Sequence, residues 1–312
     1  MLNRREFIKI LLAGGAVAGL GNLPFNADAK TSKRELTKIT LLHTNDTHSH
    51  IDPFPVQDPK FPGMGGFARR AAIIKEIRKE EKNVLLFDAG DVFQGSPYFN
   101  YYNGEVEFKL MSEMRYDAVT IGNHEFDNGL ENFAQQMQYA NFPFICSNYD
   151  FSDTPLNGKT IPYKIIEIEG VKIGVFGLGI ELQGLVLEWA YGNTKYIDPT
   201  VKAAEMSYLL KKKNNCDLVI CLSHLGFSYQ DRTISDIALA KQSKNIDVII
   251  GGHTHTFLDK PVIFRNSDGK EVIIAQVGWG GVKLGRIDFY LQEKNKLKIA
   301  SANTINIFNN QV

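Results

Sequence analysis

The chain has 312 residues, 44% of them hydrophobic, with 35 acidic and 35 basic side chains and a formal net charge of zero. That is enough apolar material for a sizeable core in one large or two small domains, and it lacks the basic excess that a nucleic-acid footprint requires. Its cysteines, Cys146, Cys216 and Cys221, cannot all pair within one chain and form no CxxC, so they read as small buried hydrophobes rather than a disulfide framework or zinc finger.

Taken in chain order, the first element is a leader. Asn3–Lys9 carries the paired Arg4 and Arg5, Ile10–Leu20 is mildly apolar and rich in Gly and Ala, and Ala27-Asp28-Ala29 offers a small-x-small cleavage site before Lys30. The apolar stretch is too short and too Gly-rich to span a bilayer. Residues 1–29 therefore read as an export signal similar to the twin-arginine type, cleaved near Ala29, which predicts a periplasmic or secreted protein. No cysteine follows the apolar stretch to carry a lipid, and no later segment reads as a membrane anchor.

From residue 30 to 312 one domain is expected. Strands are predicted at Ile39–His43, Val84–Phe87, Ala118–Ile121 and Phe144–Cys146, with helices at Phe67–Glu81, Glu105–Arg115 and Leu130–Tyr139. A hairpin turning at Glu169-Gly170 follows, then a helix at Thr200–Asn214, the buried strand Leu218–Leu222, a helix at Thr233–Lys241 and the strand Val248–Ile250. From Pro261 onward the chain reads as antiparallel strands, with a turn at Asn266-Ser267-Asp268-Gly269. Alternation of this kind supports an α/β fold with mixed sheets.

Five strand ends carry metal-type ligands: Asp46-Thr47-His48, Gly90-Asp91, Gly122-Asn123-His124-Glu125, Ser223-His224 and Gly251-Gly252-His253-Thr254-His255. Five of the seven histidines fall there. Open α/β sheets place their sites at the carboxyl ends of strands, so these stretches can converge on one rim. Asp46 with His48, and His253 with His255, are two apart; on extended backbone each pair would point one way. An Asp91 carboxylate has two oxygens and suits a bridge between two cations. Asn123 can ligate without adding charge, and Asp127 can accept the other ring N–H of His124 and fix its tautomer. Each stretch also has a plain reading: Asp46 as a turn residue, Asp91 as a cap, Asn123 as a helix N-cap. His43 reads as a satisfied core histidine and His50 as a solvent-facing loop residue. Phe93, Tyr98 and Trp279, the last within Gly278–Gly281, read foremost as packing and turn residues, though they are placed to line the mouth of a site.

As an ordered set these motifs resemble those of the calcineurin-like metallophosphoesterases. Leu42–His48 and Asn123–Asp127 are similar to the 5′-nucleotidase branch in particular. The resemblance covers essentially the whole chain after the leader. It implies a four-layer αββα sandwich of two mixed sheets. It also implies two divalent metal ions (Zn, Mn or Fe, all suited to mixed Asp, His and Asn ligands), one held by Asp46, His48, Asp91 and His255, the other by Asp91, Asn123, His224 and His253. His124 with Asp127 would be the catalytic pair. The implied reaction is hydrolysis of a small-molecule phosphate ester, a nucleotide by the 5′-nucleotidase likeness. A hydroxide shared by the metals would attack phosphorus while His124 assists the leaving group.

Exported members of that branch usually continue into a second domain that grips the nucleoside. Here the sequence ends soon after Ile305-Asn306-Ile307-Phe308. The resemblance therefore leaves room for a separate substrate-binding polypeptide, or for a different or broader substrate. It also leaves room for a phosphodiesterase or thiosulfohydrolase-type enzyme on the same ligands, and for a non-catalytic metal-dependent binding subunit.

Overall fold

The computed structural model describes residues 37–292 and 296–308. The expected leader and its Ala29 cleavage site lie outside the described residues. In chain order the strands are β1 (Thr37–Thr44), β2 (Val84–Asp88), β3 (Ala118–Val119), β4 (Phe144–Ile145), β5 (Tyr149–Asp150), β6 (Thr160–Ile161), β7 (Tyr163–Ile168) and β8 (Val171–Leu178). They continue as β9 (Lys195–Tyr196), β10 (Leu218–Ser223), β11 (Val248–Gly251), β12 (Val262–Arg265), β13 (Glu271–Ala275), β14 (Lys283–Gln292) and β15 (Lys296–Asn306). The α-helices are α1 (Phe67–Glu80), α2 (Pro97–Tyr102), α3 (Glu105–Glu113), α4 (Gly129–Gln136), α5 (Glu188–Tyr191), α6 (Pro199–Tyr208) and α7 (Asp236–Gln242).

Two mixed sheets carry the fold. One has the order β15-β14-β1-β2-β3-β4-β6, the other β12-β13-β11-β10-β8-β7. Their central strands run parallel; antiparallel strands close both edges of the second sheet and the β14–β15 edge of the first, whose other edge strand, β6, pairs parallel with β4. The stretch after Pro261 departs from the all-antiparallel expectation, because β13 pairs parallel with β11 on one side and antiparallel with β12 on the other. The predicted hairpin is β7–β8, and Glu169 and Gly170 both take positive φ, 50° and 79°, as a two-residue hairpin turn requires.

Strand alternation divides the apolar residues among three cores. Ile39, Leu41, Leu85 and Phe87 of the first sheet meet Val175, Leu218, Ile220 and Ile250 of the second. Their neighbours Leu42 and Leu86 face the other way, against Ile74 and Ile77 of α1 and Phe108 and Met111 of α3. On the outer face of the second sheet, Val219, Cys221 and Ile249 pack against Met206 of α6 and Leu239 of α7. The result is the expected helix–sheet–sheet–helix order. All three cysteines are free and buried.

Helices α1, α3 and α4 lie where the period of apolar residues puts them. The longer one predicted from Thr200 ends its α-helical part at Tyr208 and continues as a π-helix at Leu209–Lys213. Helix α2 has no apolar period and buries only Phe99; Ser96 caps it, with Pro97 at its first position. That is why the sequence pattern does not reveal it.

Candidate metal centre

The parallel pairings set the site. β1, β2 and β3 lie side by side with Thr44 opposite Asp88 and Asp88 opposite Val119; β10 lies beside β11 with Ser223 opposite Gly251. Chain leaving these five strand ends brings Asp46, Asp91, Asn123, His224 and His253 to one rim.

The side chains meet there in three overlapping groups: Asp46, His48 and His255; His48, Asp91 and His124; and Asp91, His224 and His253. His48 Nε2 lies 2.9 Å from His255 Nε2, and His255 Nε2 lies 3.4 Å from Asp46 Oδ1. On the other side, His224 Nε2 is 3.0 Å from Asp91 Oδ2 and His253 Nδ1 is 2.9 Å from Asn123 Oδ1. Asp91 belongs to two groups, the position a bridging carboxylate needs. Asn123 stands at the N-cap of a single 3₁₀ turn but makes no side-chain capping bond; its Oδ1 faces His253 Nδ1 instead.

One expectation is corrected. The paired residues do not converge on extended backbone. Asp46 (φ 48°), His48 (47°), Asp91 (56°), His253 (72°) and His255 (52°) all adopt left-handed conformations. For a non-glycine residue this costs on the order of 1–3 kcal/mol, and such strain clusters at functional sites. Hydrogen bonds hold it in place: Asp46 N–H to Gly90 O (2.9 Å), His48 N–H to Asp91 O (3.1 Å), and His253 N–H to the Asp46 carboxylate (3.0 Å). Glycine keeps the centre open, since a Cβ on Gly122 would stand 2.2 Å from Asp91 Oδ1.

The donor set fits divalent cations. His48 Nδ1 lies 3.2 Å from Phe93 O and His224 Nδ1 lies 2.6 Å from Ala89 O. Each Nδ1–H donates to its carbonyl and leaves Nε2 aimed at the centre. His224 Nε2 is fully buried and makes no aligned hydrogen bond. Burial would lower the His224 pKa, but the Asp91 charge beside it outweighs this and pushes it up to about 10. Burial would likewise raise that of Asp91, yet the His224 charge 3.0 Å away holds it well below the usual carboxylate range. A cation in that gap would take the place of the imidazole proton. Burial, then the neighbouring His224, lowers the His253 pKa to about 4 and keeps that ring neutral and free to ligate.

At the mouth, His124 Nδ1 is 2.7 Å from Asp127 Oδ2, the predicted orienting bond, and its backbone N–H donates to Asp91 Oδ1 at 2.9 Å. Burial lowers the His124 pKa, but the Asp127 bond and the Asp91 charge more than reverse this and raise it to about 9.

Two residues in the quoted motifs had no role assigned by spacing. Glu125 is buried and its carboxylate accepts the backbone N–H groups of Asp91 (3.0 Å), Val92 (2.7 Å), Phe93 (3.3 Å) and Gly122 (2.7 Å), tying two ligand-bearing loops together. Asn45 donates to Asp46 Oδ2 and to Gly278 O. Their signal in the sequence was adjacency to ligand-type residues and nothing more. His43 is buried, as expected, and burial lowers its pKa to about 3, though its Nδ1 finds no partner. His50 is not a solvent-facing loop residue; it is half-buried and stacks on Phe54 at 4.3 Å. Of the aromatics near the site, Phe93 is core, while Trp279 stacks on His255 at 5.7 Å.

The fold is that of the metallo-dependent phosphatases. The chain belongs to the calcineurin-like phosphoesterase family, whose model matches residues 39–257. It is similar to snake venom 5′-nucleotidase of Crotalus adamanteus, 32% identical over 290 residues, which span 86% of this chain and 48% of that protein. Among solved structures, a 5′-nucleotidase precursor from Thermus thermophilus matches with a TM-score of 0.79 and 31% identity, over 87% of this chain and 55% of that one. A sulfate thiohydrolase of the same organism matches with a TM-score of 0.68 over 86% of this chain and 56% of that one; at 18% identity it shows the shared fold alone. The chain spans about half the length of the curated 5′-nucleotidases it matches.

Proposed function

We propose that this protein is an exported hydrolase of phosphate monoesters, nucleotides foremost, that works with two divalent cations. The observation that carries the reading is the place of Asp91, shared between His48 and His124 on one side and His224 and His253 on the other. Asp46, His48, Asp91 and His255 would hold one cation, and Asp91, Asn123, His224 and His253 the other. When bound, such a pair lowers the pKa of a shared water and neutralises phosphoryl oxygens. The mixed donors suit Zn, Mn or Fe.

The chain's own residues supply the rest. Asn123 offers an uncharged amide beside the phosphoryl position. His124 donates Nδ1–H to Asp127 and so presents Nε2, protonated, to the leaving oxygen. That oxygen takes the Nε2 proton as its bond to phosphorus breaks, and water restores the proton afterwards. General acid help of this kind contributes about 10²–10⁴-fold. The nucleotide preference rests on the likeness to 5′-nucleotidases. Export rests on the leader at residues 1–29. Among the described residues, no helix is long and apolar enough to cross a membrane.

The test is metal analysis of the mature protein joined to a phosphate-release screen with added Mn or Zn. AMP, a cyclic nucleotide, a phosphodiester and a sulfane-sulfur substrate are the arms. About two equivalents of metal and release from AMP are expected. Turnover of the diester or the sulfur substrate alone would move the reading to that chemistry. Metal without turnover of any arm would make the protein a binder.

A further inference from the structure

An aromatic wall grows out of the metal centre, and phosphoryl chemistry has no use for it. It begins at His255, whose ring stacks on the Trp279 indole with centroids 5.7 Å apart and planes 18° apart. Trp279 meets Phe61 edge-on at 5.9 Å, and Phe61 leads to Phe257 at 5.5 Å. The wall is open to solvent along this run: the His255 side chain is 40% exposed, Phe257 is 38% exposed, and Trp279 and Phe61 are half-buried. Behind it, His50 and Phe54 brace the indole at 5.4 and 5.5 Å. His48 touches both ends of the site, with its ring 5.2 Å from His124 and 6.4 Å from Trp279. An ester of nucleoside size, seated with its phosphorus at the centre, can reach the wall.

The wall is also held in register with the ligands. Asn45 donates to Asp46 Oδ2 (2.5 Å) and to Gly278 O (2.6 Å), and accepts from Val277 N–H (2.9 Å). Beyond the indole, Gly280 N–H donates to Asp46 O at 2.7 Å. The loop is thus tied to the Asp46 segment on both flanks of Trp279, so the indole stands at a set distance from a ligand-type carboxylate. Exposed aromatic faces are costly to leave in water and gain most by covering another ring.

We propose that Trp279, Phe257 and Phe61 form a stacking site for a planar ring carried by the substrate, which makes the protein select ring-bearing phosphate esters over ringless ones. The inference rests on the proposed hydrolysis for its setting, but not for its test. The chain has two tryptophans. In a Trp189→Phe background the emission reports Trp279 alone. Titrating the Mn-loaded protein with phenylphosphonate should quench that emission, and methylphosphonate should not. In parallel, Trp279→Leu should raise KM for phenyl phosphate about tenfold more than KM for glycerol phosphate, within the range that loss of one ring–aromatic stack causes. Phe257→Leu, at an exposed position, gives the same comparison if Trp279→Leu does not fold. Absence of ring-dependent quenching, or an equal rise in KM for both esters, overturns the stacking site. No phosphate release from either ester by the wild-type protein counts against hydrolysis alone, because the fluorescence titration reads the ring without turnover.

Discussion

His124 and Asp127 show how one hydrogen bond sets a chemical role. The 2.7 Å bond occupies Nδ1 and leaves Nε2 as the proton carrier. A general acid works in its protonated form, and with the His124 pKa raised to about 9 that form persists through neutral pH and is lost as pH climbs toward that value. Cations on Asp91 would cancel part of the carboxylate's effect and bring the limit lower. Asp127→Asn removes a charge that raises the pKa, so the alkaline limb of the kcat profile should move to lower pH; an unmoved limb would contradict the acid role. Glu125 acts at the same scale through the backbone. Glu125→Gln keeps one acceptor oxygen and turns an amide NH₂ toward two of the four N–H groups. Each buried group left unpaired costs about 1–3 kcal/mol, so a loss of about 2–6 kcal/mol is expected in urea denaturation with chelator present. Wild-type stability in that variant would show that the two loops do not depend on Glu125.

Among the elements, β8 illustrates what a period-two pattern conveys and what it hides. Ile173 and Val175 face the other sheet, whereas Phe176 and Leu178 face the helices. That division could be read from alternation alone. The closeness of the two sheets could not. A Cβ on Gly177 would stand 2.0 Å from Ile145 O and 2.5 Å from Thr120 Oγ1, because here β8 is pressed against the first sheet. A Cβ on Gly174, on the opposite face, would have the Leu210 side chain as its nearest neighbour, at 2.9–3.0 Å. Backbone cannot yield as a side chain can. Gly177→Ala should therefore cost about 3 kcal/mol or more, and Gly174→Ala clearly less. Equal shifts of the two denaturation midpoints would mean that the sheets can part without penalty. The short elements, α2 and the pairs β5 and β9, were illegible for a related reason: two to six residues hold too little pattern, and caps or distant partners decide them.

At the scale of the whole molecule, stability and metal binding should be linked. The centre holds five non-glycine residues in left-handed backbone and crowds like-charged or lone-pair atoms against each other. Ions that bind only the folded chain offset those costs, by about 4 kcal/mol when free cation exceeds its Kd a thousandfold. Chelation should then lower Tm on the order of 10 °C. An unchanged Tm with EDTA would mean that the ligand set holds no tightly bound ion. The ordered ligand-type residues, the apolar periods of the strands and long helices, and the hairpin turn at Glu169-Gly170 were set by the sequence itself, because each is a local choice of residue type and spacing. Convergence was a matter for the tertiary structure. Asp46 and His255 are more than two hundred residues apart, and they meet because parallel strands of two separate sheets end at one rim. The left-handed backbone at the ligands, the tie from Asn45 to the Trp279 loop and the gathering of four N–H groups by Glu125 all depend on what lies opposite in space, and residue spacing along a chain carries no record of that.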